Sequence, residues 1–338
     1  MKRVMILTNS LTGGGAERSM NLVSNELFNR GWEVALVPIN EGPNDQIVPL
    51  CELIPLKRKW KSGFLKTIFA IIKFNRVVKS WKPDVIILNC ELPELFGAVL
   101  LSSQRLVVLQ HTTEPWAGRL KFGRVIRQVL SYKKTTWIAV SPHLAIWPNG
   151  GVPQAILQNP IVEKKVTINQ NEQQTLERLV FIGRLSVEKR PGIVIEISSV
   201  TGMPILIIGD GIIMQSLKEQ CHQYGTVVEF AGQIPDPWSR LKTGDLLIVP
   251  SAFEGDGLVV MEALLNGVPL LLADIPDFRR FEFPEINYCS SIEEYRAVID
   301  EYGTELSKLL IPIDISRALI EGRSIDIVGD MWEEFLLS

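Results

Sequence analysis

The chain has 338 residues, 46% of them hydrophobic and 22% charged, with 25 glycines and 20 prolines. A domain usually has roughly 100–200 residues, so this length predicts two domains, and the composition excludes disordered, collagen-like and disulfide-scaffold proteins. The net charge of −3 conceals an asymmetry between the two halves of the chain. Residues 1–160 hold 20 basic and 10 acidic side chains, whereas residues 161–338 hold 15 basic and 28 acidic side chains. A basic half of this kind favours an anionic partner.

Ten short apolar runs, rich in β-branched residues, predict buried strands that alternate with helix-like segments. They are residues 4–7, 34–37, 85–88, 106–109 and 137–140 in the first half and 179–182, 205–208, 227–230, 246–249 and 270–273 in the second. Such alternation is typical of parallel sheets with helices on both faces. A polar stretch at residues 164–178 has the composition of a surface connection between the halves. We predict a domain at residues 1–160, a second domain at residues 161–323, and a helix at residues 324–338 that packs back towards the first. A ligand cleft is expected between the domains, at the carboxyl ends of the strands.

A glycine cluster follows the first predicted strand, where residues 13–18 read GGGAER before a helical pattern begins. Gly14 and Gly15 let the backbone pass close to a ligand, and the N-terminus of the helix favours an anion. A tight turn without a ligand explains these glycines about as well. The dinucleotide fingerprint G-x-G-x-x-G is incomplete, because Arg18 stands at its third glycine, and this disfavours an NAD-type oxidoreductase.

Two cations follow the first predicted strand of the second half. Arg184 and Lys189 lie just after Gly183, across a predicted strand-to-helix turn. Both can point into the cleft and neutralise a diphosphate. Solvated surface charges are the simpler interpretation of this segment taken alone.

The most specific segment is residues 251–264, which read SAFEGDGLVVMEAL. Glu254 lies in a glycine-rich turn, where it could accept hydrogen bonds from sugar hydroxyls, and the amides of Gly257 and Leu258 begin a helix and suit a phosphate. Glu262 lies in an otherwise apolar helix, where a carboxylate is costly without donors, and ribose hydroxyls would supply them. The alternative, that Glu262 only complements the helix dipole, leaves Glu254 unexplained.

These segments resemble the nucleotide-sugar glycosyltransferases of family 4, which act with retention. The matching motifs are G-G-G-A-E at residues 13–17, G-R-x-x-x-x-K at residues 183–189 and E-G-x-G-x-x-x-x-E at residues 254–262, in the order and spacing of the family over nearly the whole chain. The resemblance implies an α/β protein with the GT-B fold, in which two doubly wound Rossmann-like domains face a central cleft.

The resemblance also implies roles for individual residues. Arg184 and Lys189 would bind the donor diphosphate and stabilise it as leaving group, and Glu254 would hold the donor sugar and support positive charge at its anomeric carbon. His111 matches a family histidine that contacts the donor sugar; a structural histidine is the alternative. The implied catalytic set is Glu254, Arg184, Lys189 and His111, and the implied donor-binding set is Gly14, Gly15, Gly183, Gly255, Asp256, Gly257, Leu258 and Glu262.

Asp256 departs from the common family pattern, in which an aromatic or small residue often follows the glycine. It adds negative charge near the phosphate and affects the details of the donor rather than the class of enzyme.

The implied activity is transfer of a hexosyl or N-acetylhexosaminyl group from a nucleotide diphosphate sugar, with a UDP-sugar favoured, to a glycan or lipid-linked glycan in polysaccharide or glycoconjugate biosynthesis. The nucleotide sugar is a substrate, and no cofactor is expected. The chain has no D-x-D sequence, so we expect no obligatory metal. A catalytically silent sugar-nucleotide-binding protein and a nucleotide-sugar hydrolase or epimerase of the same fold are the alternatives.

The basic residues concentrate in residues 57–82, which begin with Lys57, end with Lys82 and contain nine cations and no acidic residue. Apolar residues are interleaved with them, and at 100° per residue the cations drift around the helix, so basic and apolar faces are not cleanly separated. A core helix with a basic flank is therefore one interpretation. A second cluster favours an anionic membrane surface or a lipid-linked diphosphate acceptor over nucleic acid; its members are Arg119, Lys121, Arg124, Arg127, Lys133 and Lys134.

The cysteines and hydropathy bear on the compartment. Cys51, Cys90, Cys221 and Cys289 lie far apart, which predicts free thiols in a reducing compartment. The apolar run near the N-terminus is too short for a signal peptide, and no run of about 18 apolar residues predicts a membrane span. We expect a cytoplasmic protein that associates with the inner face of the membrane.

Overall fold

Two parallel sheets organise the chain. The structure, a computed structural model, describes residues 2–11, 14–41, 49–59, 63–162 and 175–338. The chain divides into a first unit, Met1–Pro160 with Gly322–Ser338, and a second unit, Ile161–Glu321. The return to the first unit thus comes after Glu321, where the sequence analysis places it after Arg323.

The strands and helices alternate as the hydropathy predicts. The strands are β1 (Arg3–Thr8), β2 (Glu33–Pro38), β3 (Asn40–Glu41), β4 (Glu52–Leu53), β5 (Arg58–Lys59), β6 (Val85–Asn89), β7 (Arg105–Gln110), β8 (Thr136–Ala139), β9 (Ala155–Ile156), β10 (Arg178–Ile182), β11 (Ile205–Ile208), β12 (Val228–Gly232), β13 (Asp245–Val249), β14 (Leu270–Ala273) and β15 (Tyr288–Cys289). The α-helices are α1 (Gly15–Asn29), α2 (Phe64–Trp81), α3 (Glu91–Ala98), α4 (Leu120–Tyr132), α5 (Gly192–Thr201), α6 (Met214–Tyr224), α7 (Leu258–Leu265), α8 (Pro276–Arg279), α9 (Ile292–Tyr302), α10 (Ile313–Ile320) and α11 (Ile325–Leu337). Short 3-10 segments lie at Pro237–Arg240, Glu285–Asn287 and Leu306–Leu309.

The first unit has a sheet with the strand order β4-β2-β1-β6-β7-β8-β9, and its pairings are all parallel among the described residues. Helices α1 and α11 contribute to the core on one face, and α2, α3 and α4 contribute to the core on the other. Strands β3 and β5 form a separate parallel pair. Both faces of the main sheet are therefore covered, which explains its continuous apolar strands.

Helix α11 belongs to the core of the first unit. Its side chains Val328 and Trp332 are buried against α1 and the sheet. At the rim, Arg30 donates to Asp330 over 2.5 Å and the Trp32 indole donates to Glu333 over 3.0 Å. The apolar face of α11 thus completes a core whose other members include β1, α1 and β2, far earlier in the chain.

The second unit has a sheet with the order β12-β11-β10-β13-β14-β15, and its described pairings are again parallel. Helices α7 and α10 pack on one face, and α5, α6 and α9 pack on the other. The predicted fold class is confirmed: this is an α/β protein with two doubly wound Rossmann-like units. All ten predicted strands are present, whereas five two-residue strands were not predicted because two residues carry no periodic pattern.

The compartment markers can be compared with the structure directly. All four cysteines lie in described parts of the chain and are free thiols, as predicted. Burial raises the pKa of the Cys289 thiol to about 12. No helix among the described residues has both the length and the apolar character needed to cross a bilayer.

A buried ion pair joins α3 and α4 in the first unit. Arg127 donates to both carboxylate oxygens of Glu94, over 2.6 and 2.9 Å, and these residues are only 2% and 1% exposed. Arg127 also donates to Gln110 over 2.8 Å, and the Trp116 indole donates to Glu94 over 2.8 Å. From its sequence, Arg127 is predicted to belong to a basic cluster that faces an anion. That assignment is wrong, because its guanidinium is buried and already holds a carboxylate.

We expect Arg127→Ala to lower the free energy of unfolding of the first unit by about 3–5 kcal/mol, because it leaves the Glu94 carboxylate buried without its cation. Arg124→Ala removes an exposed arginine from the same helix and should change it by less than about 0.5 kcal/mol. Urea unfolding followed by circular dichroism measures both variants. Equal stability of the two variants would contradict this account.

Candidate functional site

The strand orders reverse at one point in each sheet, between β1 and β6 in the first unit and between β10 and β13 in the second. In doubly wound sheets, ligands bind outside the carboxyl ends of the strands at such a point. The predicted site residues follow these strands or their neighbours. Gly14, Gly15 and His111 lie in the first unit, and the other predicted site residues lie in the second.

In the first unit, a hydrogen-bonded series links three strand ends. His111, directly after β7, lies with its Nε2 atom 2.6 Å from Oδ1 of Asn89, the last residue of β6. Asn89 is fully buried, and its Nδ2 donates to Thr8 Oγ1 at the end of β1 over 3.2 Å and to the Ala16 carbonyl over 3.4 Å. His111 is therefore held over the point where the strand order reverses.

This series specifies the protonation of His111. The Ala16 carbonyl can only accept a hydrogen bond, so the amide nitrogen of Asn89 faces it and the amide oxygen faces the imidazole. An oxygen acceptor requires a proton on Nε2 of His111, which leaves Nδ1 as an acceptor in the neutral ring. Helix α1 starts at Gly15 with Gly14 as its N-cap, and Gly13 lies outside the described residues.

In the second unit, backbone hydrogen bonds tie the loop after β10 to the loop after β13. The amide of Ala252 donates to the Glu188 carbonyl over 2.7 Å, and the Arg190 guanidinium donates to the Pro250 and Ser251 carbonyls over 2.6 and 3.0 Å. These contacts fix the distance between two segments that are about 65 residues apart in the chain. The two loops thus form one surface at the carboxyl edge of the sheet.

This surface brings Lys189 to Glu254, with 2.5 Å between Nζ and Oε2. The Glu254 side chain is 13% exposed and that of Lys189 is 27% exposed, so both still contact solvent. Arg184 is exposed on the same loop as Lys189. The Gly183 carbonyl before it lies so close to Gly209 that a Cβ on Gly209 would overlap the carbonyl oxygen, and only glycine fits there.

Helix α8 and the residues after it hold the Glu254 loop through hydrogen bonds to its backbone. The Glu254 amide donates to Asp277 Oδ2 over 2.7 Å, and Arg280 Nη2 donates to the Gly255 carbonyl over 2.9 Å. Gly257, with φ of +76°, is the N-cap of α7, and a Cβ there would lie 2.8 Å from the Phe281 ring. Asp277 and Arg280 therefore fix the loop at Glu254 and Gly255, and the Phe281 ring leaves space only for glycine at Gly257.

The remaining predicted residues lie at the start of α7. Leu258 is its first residue, and Asp256, next to the N-cap, is buried. The Glu262 carboxylate is half-buried on α7, and the Trp238 indole donates to its Oε2 over 3.0 Å. Trp238 thus supplies one donor to a carboxylate that the sequence marks as costly in an apolar helix.

The residues that complete the site were not predicted from the sequence. Asn89, Trp238, Asp277 and Arg280 each act on a predicted residue through a contact that is distant in the chain. A usable signal exists for Asp277 and Arg280, because the segment that follows β14 must begin at the same sheet edge as the segment that follows β13. Across the described part of the chain, no group of three or more His, Cys, Asp or Glu side chains is placed to hold a metal ion.

Comparison with known proteins gives two family matches. The model of "Glycosyltransferase Family 4" matches residues 13–150, and the model of "Glycosyl transferases group 1" matches residues 163–282. Together they cover most of both units. Among curated proteins, the chain is 22% identical over 298 residues to the amylovoran biosynthesis glycosyltransferase AmsD of Erwinia amylovora, covering 81% of each chain.

Solved structures give the same fold. HepE of Anabaena, solved in complex with UDP and glucose, aligns over 100% of both chains with a TM-score of 0.79 and 16% identity. TarM of S. aureus, solved with fondaparinux, α-GlcNAc-glycerol and UDP, aligns over 100% of both chains with a TM-score of 0.74 and 12% identity. The GT-B fold of the chain follows from this likeness and from its two parallel sheets.

We expect His111 to carry its proton on Nε2 in the neutral form, at a pH of about 8. Long-range nitrogen–proton NMR spectra of the histidine rings report this tautomer directly. Asn89→Leu should weaken the preference towards that of a free imidazole, and Asn89→Asp should strengthen it, because a carboxylate beside the ring is a stronger acceptor for the Nε2 proton. His143 and His222 serve as internal controls, and a proton on Nδ1 of His111 in the unaltered chain would contradict the assignment.

Proposed function

The chain belongs to glycosyltransferase family 4, and we propose that it transfers a sugar from a UDP-sugar to a hydroxyl group of a glycan or lipid-linked glycan with retention of the anomeric configuration. The observation that carries the proposal is the meeting of Lys189 and Glu254 beside the N-terminus of α7. A cation, a carboxylate and the first amides of a helix at one sheet edge are the groups that a sugar diphosphate needs.

The second unit binds the donor in this proposal. Lys189 and Arg184 neutralise the diphosphate, and the amides from Gly255 to Leu258 contact the sugar and phosphate. Glu262 accepts from ribose hydroxyls while Trp238 holds its other oxygen. Arrival of the donor exchanges the Lys189–Glu254 ion pair for contacts to phosphate and to sugar hydroxyls, so neither charge loses a partner.

The reaction breaks the bond between the anomeric carbon and the diphosphate oxygen, and its electron pair leaves with the diphosphate. The acceptor oxygen forms the new bond on the same face, and its proton passes to the departing diphosphate. Glu254 supports the positive charge that develops at the anomeric carbon, and Lys189 and Arg184 support the negative charge on the leaving group. Positioning and charge stabilisation supply the catalysis, and we propose that no metal is required.

The donor and acceptor classes draw support from relatives. HepE was solved with UDP and glucose, TarM was solved with UDP, and AmsD is named for the biosynthesis of amylovoran. A hexosyl or N-acetylhexosaminyl donor and a role in polysaccharide or glycoconjugate biosynthesis fit these relatives. We propose that the enzyme works at the cytoplasmic face of a membrane.

Exposed side chains of the first unit support the membrane part of the proposal. Helix α2 buries one apolar face through Ala70, Phe74 and Val78, yet a second apolar stripe is exposed on its outer side. That stripe consists of Leu65, Ile68, Phe69 and Ile72. The outer side then becomes basic at Arg76 and Lys79. An apolar end followed by cations suits an anionic bilayer surface.

Helix α4 adds a comparable surface on the same face of the sheet. Its exposed apolar side chains are Leu120, Phe122, Val125, Val129 and Tyr132. Arg119, Lys121 and Arg124 are exposed beside them, whereas Arg127 is not available. Lys61, which the sequence analysis counts in the basic segment, lies outside the described residues.

We expect Glu254→Ala and Lys189→Ala each to lower kcat for sugar transfer by at least about 100-fold, because each removes a charge that stabilises the transition state. The measurement is release of nucleoside diphosphate from a panel of UDP-, GDP- and ADP-sugars, with acceptor present and absent, and with EDTA present and absent. Lys218→Ala and Glu219→Ala, exposed on α6, are the matched controls and should retain full activity.

Each alternative gives a different result in the same assay. Release of nucleoside diphosphate without acceptor indicates a hydrolase, and conversion of the nucleotide sugar without release indicates an epimerase. Nucleotide binding with neither result indicates a silent binding protein. Proton NMR of the product should show the anomeric configuration of the donor. Full activity of Glu254→Ala would refute the site, and an inverted product would refute retention.

We expect the protein to co-sediment with vesicles of phosphatidylglycerol and phosphatidylcholine, and Phe69→Asp to weaken this binding by about tenfold, because Phe69 is 70% exposed on the apolar stripe. Ile212→Asp is the matched control, since Ile212 is 76% exposed in the second unit. Absence of binding at moderate salt, or an equal effect of both substitutions, would rule out the proposed surface.

A further inference from the structure

A basic cavity of about 280 Å³, open to solvent on one side, lies in the first unit and is lined by residues of the β5 segment and of α2. Its charged lining consists of Lys57, Arg58, Lys59, Lys66 and Lys73, and Phe69 supplies an apolar wall. None of the described residues that line it is acidic. The function proposed above does not use this cavity.

The cavity is anchored to the functional edge of the sheet. Arg58 Nη1 donates to Asn40 Oδ1 over 2.5 Å, and Asn40 Nδ2 donates to Asn9 Oδ1 over 2.7 Å. Asn9 directly follows β1, so the series reaches the same carboxyl edge that holds Asn89 and His111. Arg58 Nε also donates to Thr67 Oγ1 over 3.0 Å. The guanidinium is therefore preorganised rather than mobile.

The electrostatics favour an anion. Lys57, Lys66 and Lys73 form no ion pair with any carboxylate in the described ranges, and Lys73 Nζ donates instead to the Pro55 carbonyl over 2.7 Å. Like charges that line one cavity repel each other, and a bound anion relieves that repulsion. Burial lowers the pKa of Arg58, a shift that an arriving anion would oppose. Lysine and arginine together are the usual ligands of phosphate groups.

The size and the apolar wall narrow the class of ligand. A volume of about 280 Å³ accommodates a phosphate or diphosphate group, and the exposed lysines leave room for the rest of a ligand to extend beyond it. Phe69 both lines the cavity and belongs to the exposed stripe with Leu65 and Ile72. A ligand with its charged group in the cavity would therefore have an apolar surface beside it for a hydrocarbon chain.

We propose that this cavity binds the phosphate or diphosphate group of a phosphorylated lipid. The inference rests on the proposed function in one respect, because it places the charged group of a lipid-linked acceptor on the unit that does not bind the donor. The same chemistry also fits the headgroup of an anionic phospholipid, so the two sources must be separated by experiment.

The first measurement is calorimetric titration of inorganic diphosphate, with UDP in excess so that a diphosphate site used by UDP is filled. We expect K66E/K73E to weaken diphosphate binding by at least about tenfold, because both cations line the cavity. K79E/K82E is the matched control, with the same change of charge at the other end of α2 and outside the cavity. It should change the affinity by less than about twofold.

The second measurement distinguishes the sources. Farnesyl diphosphate below its micellar concentration and vesicles containing phosphatidylglycerol are each tested against the unaltered chain and both variants. Binding of farnesyl diphosphate that is tighter than that of inorganic diphosphate and sensitive to K66E/K73E indicates a lipid-linked acceptor. A loss of vesicle binding that is larger in K66E/K73E than in K79E/K82E, with no effect on farnesyl diphosphate, indicates a phospholipid headgroup; some loss is expected in both variants, because Lys79 belongs to the basic outer side of α2.

Two results would overturn the proposal: equal losses of diphosphate affinity in K66E/K73E and K79E/K82E, or no loss in either. UDP affinity is measured in the same variants and should be unchanged, so failure of the cavity and failure of the donor site give separate signals. Circular dichroism and thermal melting confirm that the variants are folded.

Discussion

Parallel pairing is the constraint from which the candidate site follows. In a parallel sheet every strand delivers its carboxyl end to the same edge, and both main sheets are parallel throughout their described pairings. Thr8, Asn89 and His111 therefore meet although about 100 residues separate the first from the last. An antiparallel strand at any of these positions would carry its residue to the opposite edge.

The second unit shows how a loop at that edge becomes rigid enough for chemistry. The Glu254 segment has no regular structure of its own, yet hydrogen bonds from the β10 loop and from α8 hold it on two sides. Each bond uses a backbone amide or carbonyl that would otherwise need water. The site is therefore supported by neighbours that touch the loop and not the proposed substrate, and their loss would loosen geometry without removing a reacting group.

Much of this could be predicted from the sequence, for definable reasons. Strands buried on both faces must be continuously apolar, so their positions could be recognised in the sequence. The glycine-rich turns indicated which segments approach a ligand. The role of a residue could not be predicted from the sequence where it depends on a partner that is distant in the chain. Arg127 has the same local surroundings as Arg124, and only the fold places Glu94 beside one of them. Asp277 and Asn89 likewise gain their positions from contacts that no local pattern encodes. The two apolar faces of α2 could be distinguished only in the structure, which shows which of its side chains are buried in the core.

The first unit is discontinuous in the chain, and this has a consequence for how the protein is made. Its core includes Val328 and Trp332, which a ribosome adds after the whole of the second unit. Until then, the apolar side chains of the first unit that pack against α11 lack that helix as a partner. The usual order, in which the N-terminal domain is finished first, is thereby reversed. The second unit can fold before α11 is synthesised. The first unit is completed only when α11 is added, so a chaperone that binds apolar surface has the longest time to bind the earlier half of the chain.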